Sequence, residues 1–342
     1  MTTTGGFLLV GGYTPPTGAG QGIQLVQHCD DGLVDRGMLA ATESPSFLAI
    51  SADGERVYAV NETAPGRVSA FARTGPVASP GLEPLGSQST GGAHPCHLAL
   101  HPSGRLLAVA NYSSGSVAIH PLDGTGALQP YSKLLRLHGS GPSAERQDGP
   151  HAHQVSFAGG DELIVADLGS DRLWRFSYRA GASLRSRRCA CLRVAAPGSC
   201  CWTRSPGTVT CSVSWTTRSA PWTGDNRSGC CPRLPATPSH WSPAPCRRGS
   251  FAGLGPACCT HRIAAPTGSR SCDRTMPVSR RWLTSRPTGR SPRHLALSGS
   301  WLYIANQLSN TLAGVPVSRD TGLRSGPVCS LALPSPSCVL PW

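Results

Sequence analysis

Short apolar runs separated by turn residues recur along the first half of the chain and again near its end. Four stretches, 45–62, 95–112, 151–167 and 292–306, share one pattern. Each is an apolar strand, a turn that in most cases contains Ser and Gly, and a second apolar strand ending on Asn or Asp. Such runs bounded by turn residues are typical of antiparallel strands, and no helical periodicity of useful length accompanies them. The pattern predicts an all-β protein.

The spacing of these repeats predicts the architecture. Pro45 and Pro95 are 50 residues apart, Pro95 and His151 are 56 apart, and His151 and Pro292 are 141 apart, close to three periods. A further unit begins at Phe7, so five units are visible and two are hidden in a chain of 342 residues. A repeat of about 40–50 residues with four short strands is a propeller blade. We therefore predict a seven-bladed β-propeller; a pair of β-sandwiches would not need this regular recurrence.

The composition changes abruptly between residues 182 and 289. This segment holds 11 of the 15 cysteines, 16 of the 30 arginines and 5 of the 8 tryptophans, with only two acidic residues. The flanking regions hold 15 basic and 16 acidic residues, a net charge of −1, so the segment supplies the whole net charge of +13. The predicted organisation is blades one to four in 1–181, a non-native segment in 182–289, and the last blade with a closing strand in 290–342.

Three interpretations of this segment compete. A zinc or disulfide module is disfavoured because the cysteines occur as Cys189-x-Cys191 and as adjacent pairs beginning at Cys200, Cys230 and Cys258, with no Cys-x-x-Cys pair. A nucleic-acid-binding arm would use arginines interleaved with tryptophans, but the segment has no aromatic motif of known register. The third interpretation is a pair of compensating frameshifts.

The frameshift interpretation can be tested on the sequence itself. Residues 213–220 can be encoded so that dropping two bases yields Glu-Leu-Asp-Asp-Ala-Leu. In the same frame, residues 258–271 yield Leu-His-Ala-Ser-Asn-Arg-Gly-Pro-Asp-Arg-Ile-Ala-Val. A shifted frame destroys the alternation that lets a strand bury one face. We therefore predict that the fifth and sixth blades are disrupted and that the basic charge implies no acidic partner.

Histidines are the leading candidates for chemistry. His151 and His153 follow a Gly/Pro-rich loop, and side chains at i and i+2 of a strand share a face. Both imidazoles are therefore expected to face one cavity, where a histidine can take a proton from water near neutral pH. The alternative is that one of them bonds the loop backbone. A metal site is not predicted, because no third ligand is evident.

The last repeat adds a cation to this set. Arg293 and His294 begin that repeat, at positions that match the start of the third and fourth. His97, His153 and His294 are therefore expected to line the central channel. The planar guanidinium of Arg293 suits a phosphate or carboxylate; alternatively it lies on a blade rim.

Polar residues end the second strand of each repeat. They are Asn61-Glu62, Asn111, Asp167 and Asn306. Residues in this place cap turns between blades more often than they bind a substrate. Glu62 nevertheless stays a candidate substrate-binding residue, together with Arg293, His294 and His97.

Several of these motifs resemble a known family. They are the run 138–153 with its Gly-Pro-His-x-His element, Asp167-Leu-Gly-Ser-Asp171, the run 110–117 and the C-terminal run 334–339. The combination is similar to the seven-bladed propeller lactonases, which include 6-phosphogluconolactonases and carboxymuconate cyclases. The resemblance covers about 1–181 and 290–342, some two-thirds of the chain.

The resemblance implies a cytoplasmic monomer in carbohydrate metabolism, specifically the pentose phosphate pathway, that hydrolyses 6-phosphoglucono-δ-lactone. It implies no cofactor, no metal, and neither nucleic acid nor membrane as a partner. The alternatives are a muconate-type cycloisomerase and a non-catalytic propeller that binds partner proteins. Family catalysis is associated with one histidine, here His153 or His151, with a glutamate and with two arginines. The glutamate and both arginines have no counterpart in the chain as it stands, so we expect it to be inactive.

Overall fold

A computed structural model of the chain describes residues 6–76, 78–158, 162–177, 185–189, 200–205, 208–213, 261–262 and 289–342. Every regular element in these ranges is a β-strand, which confirms the all-β prediction. The described strands form five four-stranded sheets and one three-stranded sheet. The part of the chain that the structure describes contains no helix long and apolar enough to cross a membrane.

Consecutive strands pair antiparallel within each sheet. Blade one contains β1 (Phe7–Gly12), β2 (Gly22–Cys29), β3 (Gly32–Ala41) and the C-terminal β23 (Pro336–Pro341). Blade two contains β4 (Leu48–Ile50), β5 (Arg56–Asn61), β6 (Arg67–Thr74) and β7 (Gly81–Ser89). Blade three contains β8 (Pro95–Leu100), β9 (Leu106–Asn111), β10 (Ser116–Pro121) and β11 (Lys133–Arg136). Blade four contains β12 (Ala152–Ala158), β13 (Glu162–Asp167), β14 (Arg172–Ser177) and β15 (Arg185–Cys189).

The remaining strands form two sheets. The three-stranded sheet contains β16 (Cys200–Ser205), β17 (Thr208–Val213) and β18 (His261–Arg262). The last blade contains β19 (Pro292–Ser298), β20 (Trp301–Asn306), β21 (Thr311–Pro316) and β22 (Cys329–Ala332). The predicted disruption of blades five and six falls mostly on residues outside the described ranges. Within 182–289, β15 completes blade four by pairing with β14.

The two ends of the chain meet in blade one. β23 pairs with β1, so residues from the C-terminus complete blade one. Each first strand contacts the next around the axis, from β19 to β23, β4, β8 and β12. This is the propeller arrangement that the repeat spacing predicts.

Apolar second strands fill the space between the blades. All six residues of β9 are buried, because both faces of this strand meet neighbouring blades. Val109 packs with apolar residues of blade two, whereas Ala108 packs with apolar residues of blade four. A strand covered on both faces reads as a continuous apolar run rather than as an alternation.

The last blade differs from the others in having an exposed apolar face. Leu295 of β19 has the same register position as Leu98 of β8 and Val155 of β12. Leu98 and Val155 are 2% and 1% exposed because they pack against the preceding blade, whereas Leu295 is 50% exposed. Leu297, two residues further along β19, is 66% exposed. The side of the last blade that would meet a preceding blade is therefore open to solvent.

Candidate functional site

The first strands carry a bulge at the same place. The register skips the second residue of β8, β12, β19 and β23. The skipped residues are Cys96, His153, Arg293 and Ser337. A bulge re-aims the side chain of the extra residue and is common beside functional sites. The repeated bulge therefore gives these four residues equivalent places around the propeller axis.

The predicted equivalence of His97, His153 and His294 is wrong by one residue in blade four. His97 and His294 directly follow the bulge of their strands, and the residue in that place in blade four is Gln154. His153 is the bulged residue itself. The sequence pattern did not reveal this, because the spacing of histidines fits either alignment and only backbone pairing selects one.

A hydrogen-bonded chain crosses three blades at the level of these bulges. Arg293 Nη2 donates to the Tyr13 hydroxyl at 2.6 Å, and that hydroxyl donates to Glu62 Oε2 at 3.0 Å. Ser46 Oγ donates to the same carboxylate oxygen at 2.5 Å. The guanidinium carbon of Arg293 lies 5.5 Å from the centroid of the Tyr13 ring. Sequence reasoning did not single out Tyr13, whose only local signal is its place directly after an apolar strand.

Tyr13 and Cys96 are held in their neutral forms. Burial and the Glu62 carboxylate raise the pKa of Tyr13 well above its ordinary value, although Arg293 opposes this shift. Burial, reinforced by Glu62, likewise raises the pKa of the Cys96 thiol, again against Arg293. The Cys96 thiol donates to the His153 carbonyl oxygen at 3.4 Å. Neither group is therefore a nucleophile or base at neutral pH.

His153 lies close to two cationic side chains. Burial, together with the charges of Arg293 and Arg146, lowers the pKa of His153 to about 4. Its ring meets Tyr112 edge-on, with the centroids 6.0 Å apart. Among the described residues the His153 ring nitrogens make no hydrogen bond, and the His153 carbonyl oxygen accepts one from the Cys96 thiol. The neutral imidazole thus retains an unused lone pair.

His151, in contrast, is held by contacts with Tyr112. Its Nδ1 donates to the Tyr112 carbonyl oxygen at 3.1 Å, and the two rings stack with centroids 4.5 Å apart. Its Nε2 lies 3.6 Å from Asp148 Oδ1. The rings of His151 and His153 both contact the Tyr112 ring. That both imidazoles face one cavity stays a prediction, and Nδ1 of His151 is already bonded to the backbone.

His97 and His294 pack on Phe47. The ring centroids of Phe47 and His97 are 4.0 Å apart in a stacked arrangement, and those of Phe47 and His294 are 5.3 Å apart edge-on. His294 Nδ1 donates to the Val339 carbonyl oxygen at 3.0 Å. Burial lowers the pKa of His97 to about 3, with His153 and His294 contributing. Burial also lowers the pKa of His294. Both rings are therefore neutral packing groups between the first strands.

Acid is expected to destabilise the fold through these histidines. An unfolded histidine titrates near 6.5, whereas His97 and His153 titrate near 3 and 4 in the fold. The unfolded state therefore binds more protons below about pH 6.5, and stability falls with decreasing pH by up to ~1.4 kcal/mol per unit for each histidine. Urea unfolding between pH 7 and pH 5 measures this slope. His97→Gln, which copies Gln154 of blade four, should reduce it; an unchanged slope would contradict the assignment.

The structure brings together part of the predicted site. Hydrogen bonds through Tyr13 join Arg293 to Glu62. The charge of Arg293 also acts on His153 and on Cys96. His97, His294 and His151 stand at the edge of this cluster, in packing or backbone contacts. The strands expected to supply the family's glutamate and second arginine lie largely outside the described ranges.

Two other features lie apart from this cluster. A pocket of about 480 Å³ shares no lining residue with this cluster. It is lined by Thr14, Pro15, Ala19, Gly20, Gln21, Thr42 and Glu43. Among the described residues, no group of three or more His, Cys, Asp or Glu side chains is arranged to hold a metal ion.

Comparison with known proteins gives a family match and similar proteins. The sequence model of the family described as "Lactonase, 7-bladed beta-propeller" matches residues 7–199, more than half of the chain. A 6-phosphogluconolactonase of Formosa agariphila is 32% identical over 142 residues, which are 40% of this chain and 40% of that protein. A 6-phosphogluconolactonase of Bacillus subtilis is 31% identical over 151 residues, 44% of this chain and 42% of that protein. The matches thus span about two-fifths of these relatives' length.

The fold comparison extends over nearly the whole chain. The periplasmic gluconolactonase of Pseudomonas aeruginosa superimposes with a TM-score of 0.66 at 20% identity and covers 98% of both chains. At this identity the likeness shows the fold alone. Together with the family match, it confirms the prediction of a seven-bladed β-propeller. The family match ends at residue 199, inside the segment of atypical composition.

Proposed function

Because this chain belongs to the family of seven-bladed β-propeller lactonases, we propose that its fold is built to hydrolyse a sugar lactone, 6-phosphoglucono-δ-lactone. The observation that carries the proposal is the pair of bulges that puts neutral His153 near the charge of Arg293. The names of the two relatives at 32% and 31% identity support the choice of substrate.

Lactone hydrolysis needs a base and a cation, and we assign these roles to His153 and Arg293. The His153 imidazole takes a proton from water as the water oxygen attacks the lactone carbonyl carbon. The ring C–O bond then breaks, and the leaving alkoxide takes the proton back from the imidazolium. Arg293 uses one of the five N–H donors of its guanidinium on Tyr13. Its other donors can hold a phosphate or stabilise the developing oxyanion.

We infer that the chain as it stands is inactive. The glutamate and two arginines that the family resemblance implies have no counterpart in it, and losing one such donor typically costs ~10²–10³ in rate. The surroundings of His153 also weaken it as a base, because its pKa of about 4 is well below the operating pH.

We propose a cytoplasmic monomer that acts on a small-molecule lactone without a cofactor or metal, and without nucleic acid or membrane as a partner. Size-exclusion chromatography with light scattering tests the oligomeric state, and a dimer would overturn that part of the proposal.

Substitution of the proposed base tests the mechanism. In a protein expressed from a gene with its reading frame restored, His153→Ala is expected to lower kcat/KM for the lactone by about 10²–10⁴-fold. His151→Gln is the matched control, because His151 stacks on Tyr112 and bonds its carbonyl oxygen, and it should change kcat/KM by less than about tenfold. Equal losses in the two variants would contradict the assignment. Absence of lactone hydrolysis by the frame-restored parent would instead favour a non-catalytic binding module.

A further inference from the structure

We propose that Tyr13 is a positioning residue that fixes the Arg293 guanidinium beside His153. Tyr13 is 7% exposed and lies one residue beyond the end of β1. It contributes no group to the proton transfer, so its role is to hold a side chain that does contact the substrate. The kinetic part of this inference rests on the proposed function; the geometric part does not.

A side chain on blade one can reach both Arg293 and Glu62. β23 of this blade contacts β19 on one side and β4 on the other, so blade one lies between the last blade and blade two. Arg293 belongs to the last blade, and Glu62 directly follows the second strand of blade two. The Tyr13 hydroxyl accepts from the first and donates to the second, at 2.6 and 3.0 Å. It therefore links two opposite charges that make no ion pair with each other among the described residues.

The phenol fixes the arginine in two ways. An arginine side chain has a rotamer entropy of about 2 kcal/mol that must be overcome to hold it in one place. The hydroxyl orients one N–H bond of Arg293, while the face of the Tyr13 ring lies 5.5 Å from the guanidinium carbon. Ser46 holds Glu62 from the other side, so the acceptor at the end of the chain is itself fixed. The remaining N–H donors of Arg293 are thereby presented in a defined direction.

The pKa of His153 depends on the position of the Arg293 guanidinium. The groups that face His153 come from several elements. They are Arg293 on β19, Arg146 in the loop before β12, His97 and Cys96 on β8, and Tyr112 after β9. Of these, the two arginines carry the charges, and both lower the pKa of His153. If Arg293 leaves its place, the pKa of His153 rises towards its ordinary value.

The first experiment uses the chain as it stands. Tyr13→Phe removes the hydroxyl and keeps the ring, and the pKa of His153 is followed by NMR of the imidazole protons, assigned by their loss in His153→Gln. We expect a rise from the parent value. Arg293→Gln should give a rise at least as large, and the double variant should match Arg293→Gln alone. An unchanged titration of His153 in Tyr13→Phe, or additive shifts in the double variant, would overturn the proposal.

Two further variants distinguish loss of the Tyr13–Arg293 contact from a general perturbation of the fold. Tyr58→Phe is the matched control, since this buried hydroxyl donates to the Gly126 carbonyl oxygen at 2.9 Å in a different contact. It should leave the His153 titration unchanged. Glu62→Gln keeps an acceptor oxygen for Tyr13 but removes the charge, and it should shift the His153 titration less than Tyr13→Phe does. A larger shift in either control than in Tyr13→Phe would overturn the proposal.

The second experiment uses the frame-restored protein and its lactonase kinetics. Tyr13→Phe should raise KM by roughly tenfold and change kcat by less than about threefold, because a ground-state contact to the anionic substrate is loosened. A structural role alone would lower kcat through loss of folded protein and leave KM unchanged, which would overturn the proposal. If the parent hydrolyses no lactone, the proposed function fails, while the titration of His153 still decides the role of Tyr13.

Discussion

Restoring the reading frame across residues 182–289 is expected to increase the stability of the fold and to create lactonase activity. The stability gain comes from the open face of the last blade, where Leu295 and Leu297 are 50% and 66% exposed. Covering a leucine fully contributes about 1.5–3 kcal/mol. The activity gain comes from the glutamate and the Ser-Asn-Arg arginine that the restored frame would supply, and we expect at least about 10³-fold.

The predicted frameshift suggests what would cover this face. In the alternative frame, residues 258–271 read Leu-His-Ala-Ser-Asn-Arg-Gly-Pro-Asp-Arg-Ile-Ala-Val. This run aligns without a gap with the run 302–314 of the last blade, Leu-Tyr-Ile-Ala-Asn-Gln-Leu-Ser-Asn-Thr-Leu-Ala-Gly, and the two share a Leu, an Asn and an Ala. In the last blade those residues form β20, a turn and β21. Under the frameshift hypothesis, the alternative frame would encode the second and third strands of the blade that directly precedes the last one.

A pair of serine substitutions tests whether restoring the frame covers Leu295 and Leu297. Leu295→Ser with Leu297→Ser should change the free energy of unfolding of the present chain by less than about 1 kcal/mol, because both side chains are already exposed. In the frame-restored protein the same pair should cost about 2–5 kcal/mol, as for core leucines. Chemical denaturation of the four proteins measures both values. Equal costs in the two backgrounds, or gene sequencing that reproduces the present frame together with lactonase activity, would refute the frameshift.

The second large effect is expected at Asp167, where Asp167→Ala should lower the free energy of unfolding by about 3–5 kcal/mol. The carboxylate is 3% exposed and accepts five hydrogen bonds. Oδ1 accepts from the backbone N–H groups of His151, Gly169 and Ser170, at 2.8, 3.0 and 3.2 Å. Oδ2 accepts from Ser170 Oγ at 2.5 Å and from Trp174 Nε1 at 3.1 Å. Truncation leaves these donors buried and without an acceptor.

The equivalent residues of the other blades supply the control. Asn61, Asn111 and Asn306 have the same register position as Asp167, so an amide fits there. Asp167→Asn keeps Oδ1 but presents an N–H to Trp174 Nε1, and it should cost about 1–2 kcal/mol. Thermal and urea unfolding rank the variants. Equal losses for Ala and Asn would show that charge, rather than the number of accepted bonds, is what matters.

The hydrogen bonds of Asn61 and Asn111 agree with the capping role that the sequence predicts for the ends of second strands. Asn61 Nδ2 donates to the Glu43 carbonyl oxygen at 2.6 Å, and Asn111 Nδ2 donates to the Thr90 carbonyl oxygen at 3.1 Å. In both cases the amide ties the end of a second strand to the chain that links it to another blade.

The strand repeat, the propeller fold and the candidate residues His153 and Arg293 were predictable from the sequence by itself. These features depend on local patterns. An apolar run bounded by turn residues is a strand wherever it packs, and its recurrence at intervals of 50 and 56 residues reports the blades. The abrupt change of composition at 182–289 is also a property of the sequence alone.

Only the tertiary structure decided the register and the contacts between distant blades. Whether His153 or Gln154 is equivalent to His97 depends on which backbone groups pair, and a one-residue bulge changes that without altering the side-chain pattern. The bond from Arg293 to Tyr13 joins residues 280 apart in the chain. No local signal encodes such a pair, because the two side chains meet only when β23 pairs with β1 and contacts β19 of the last blade.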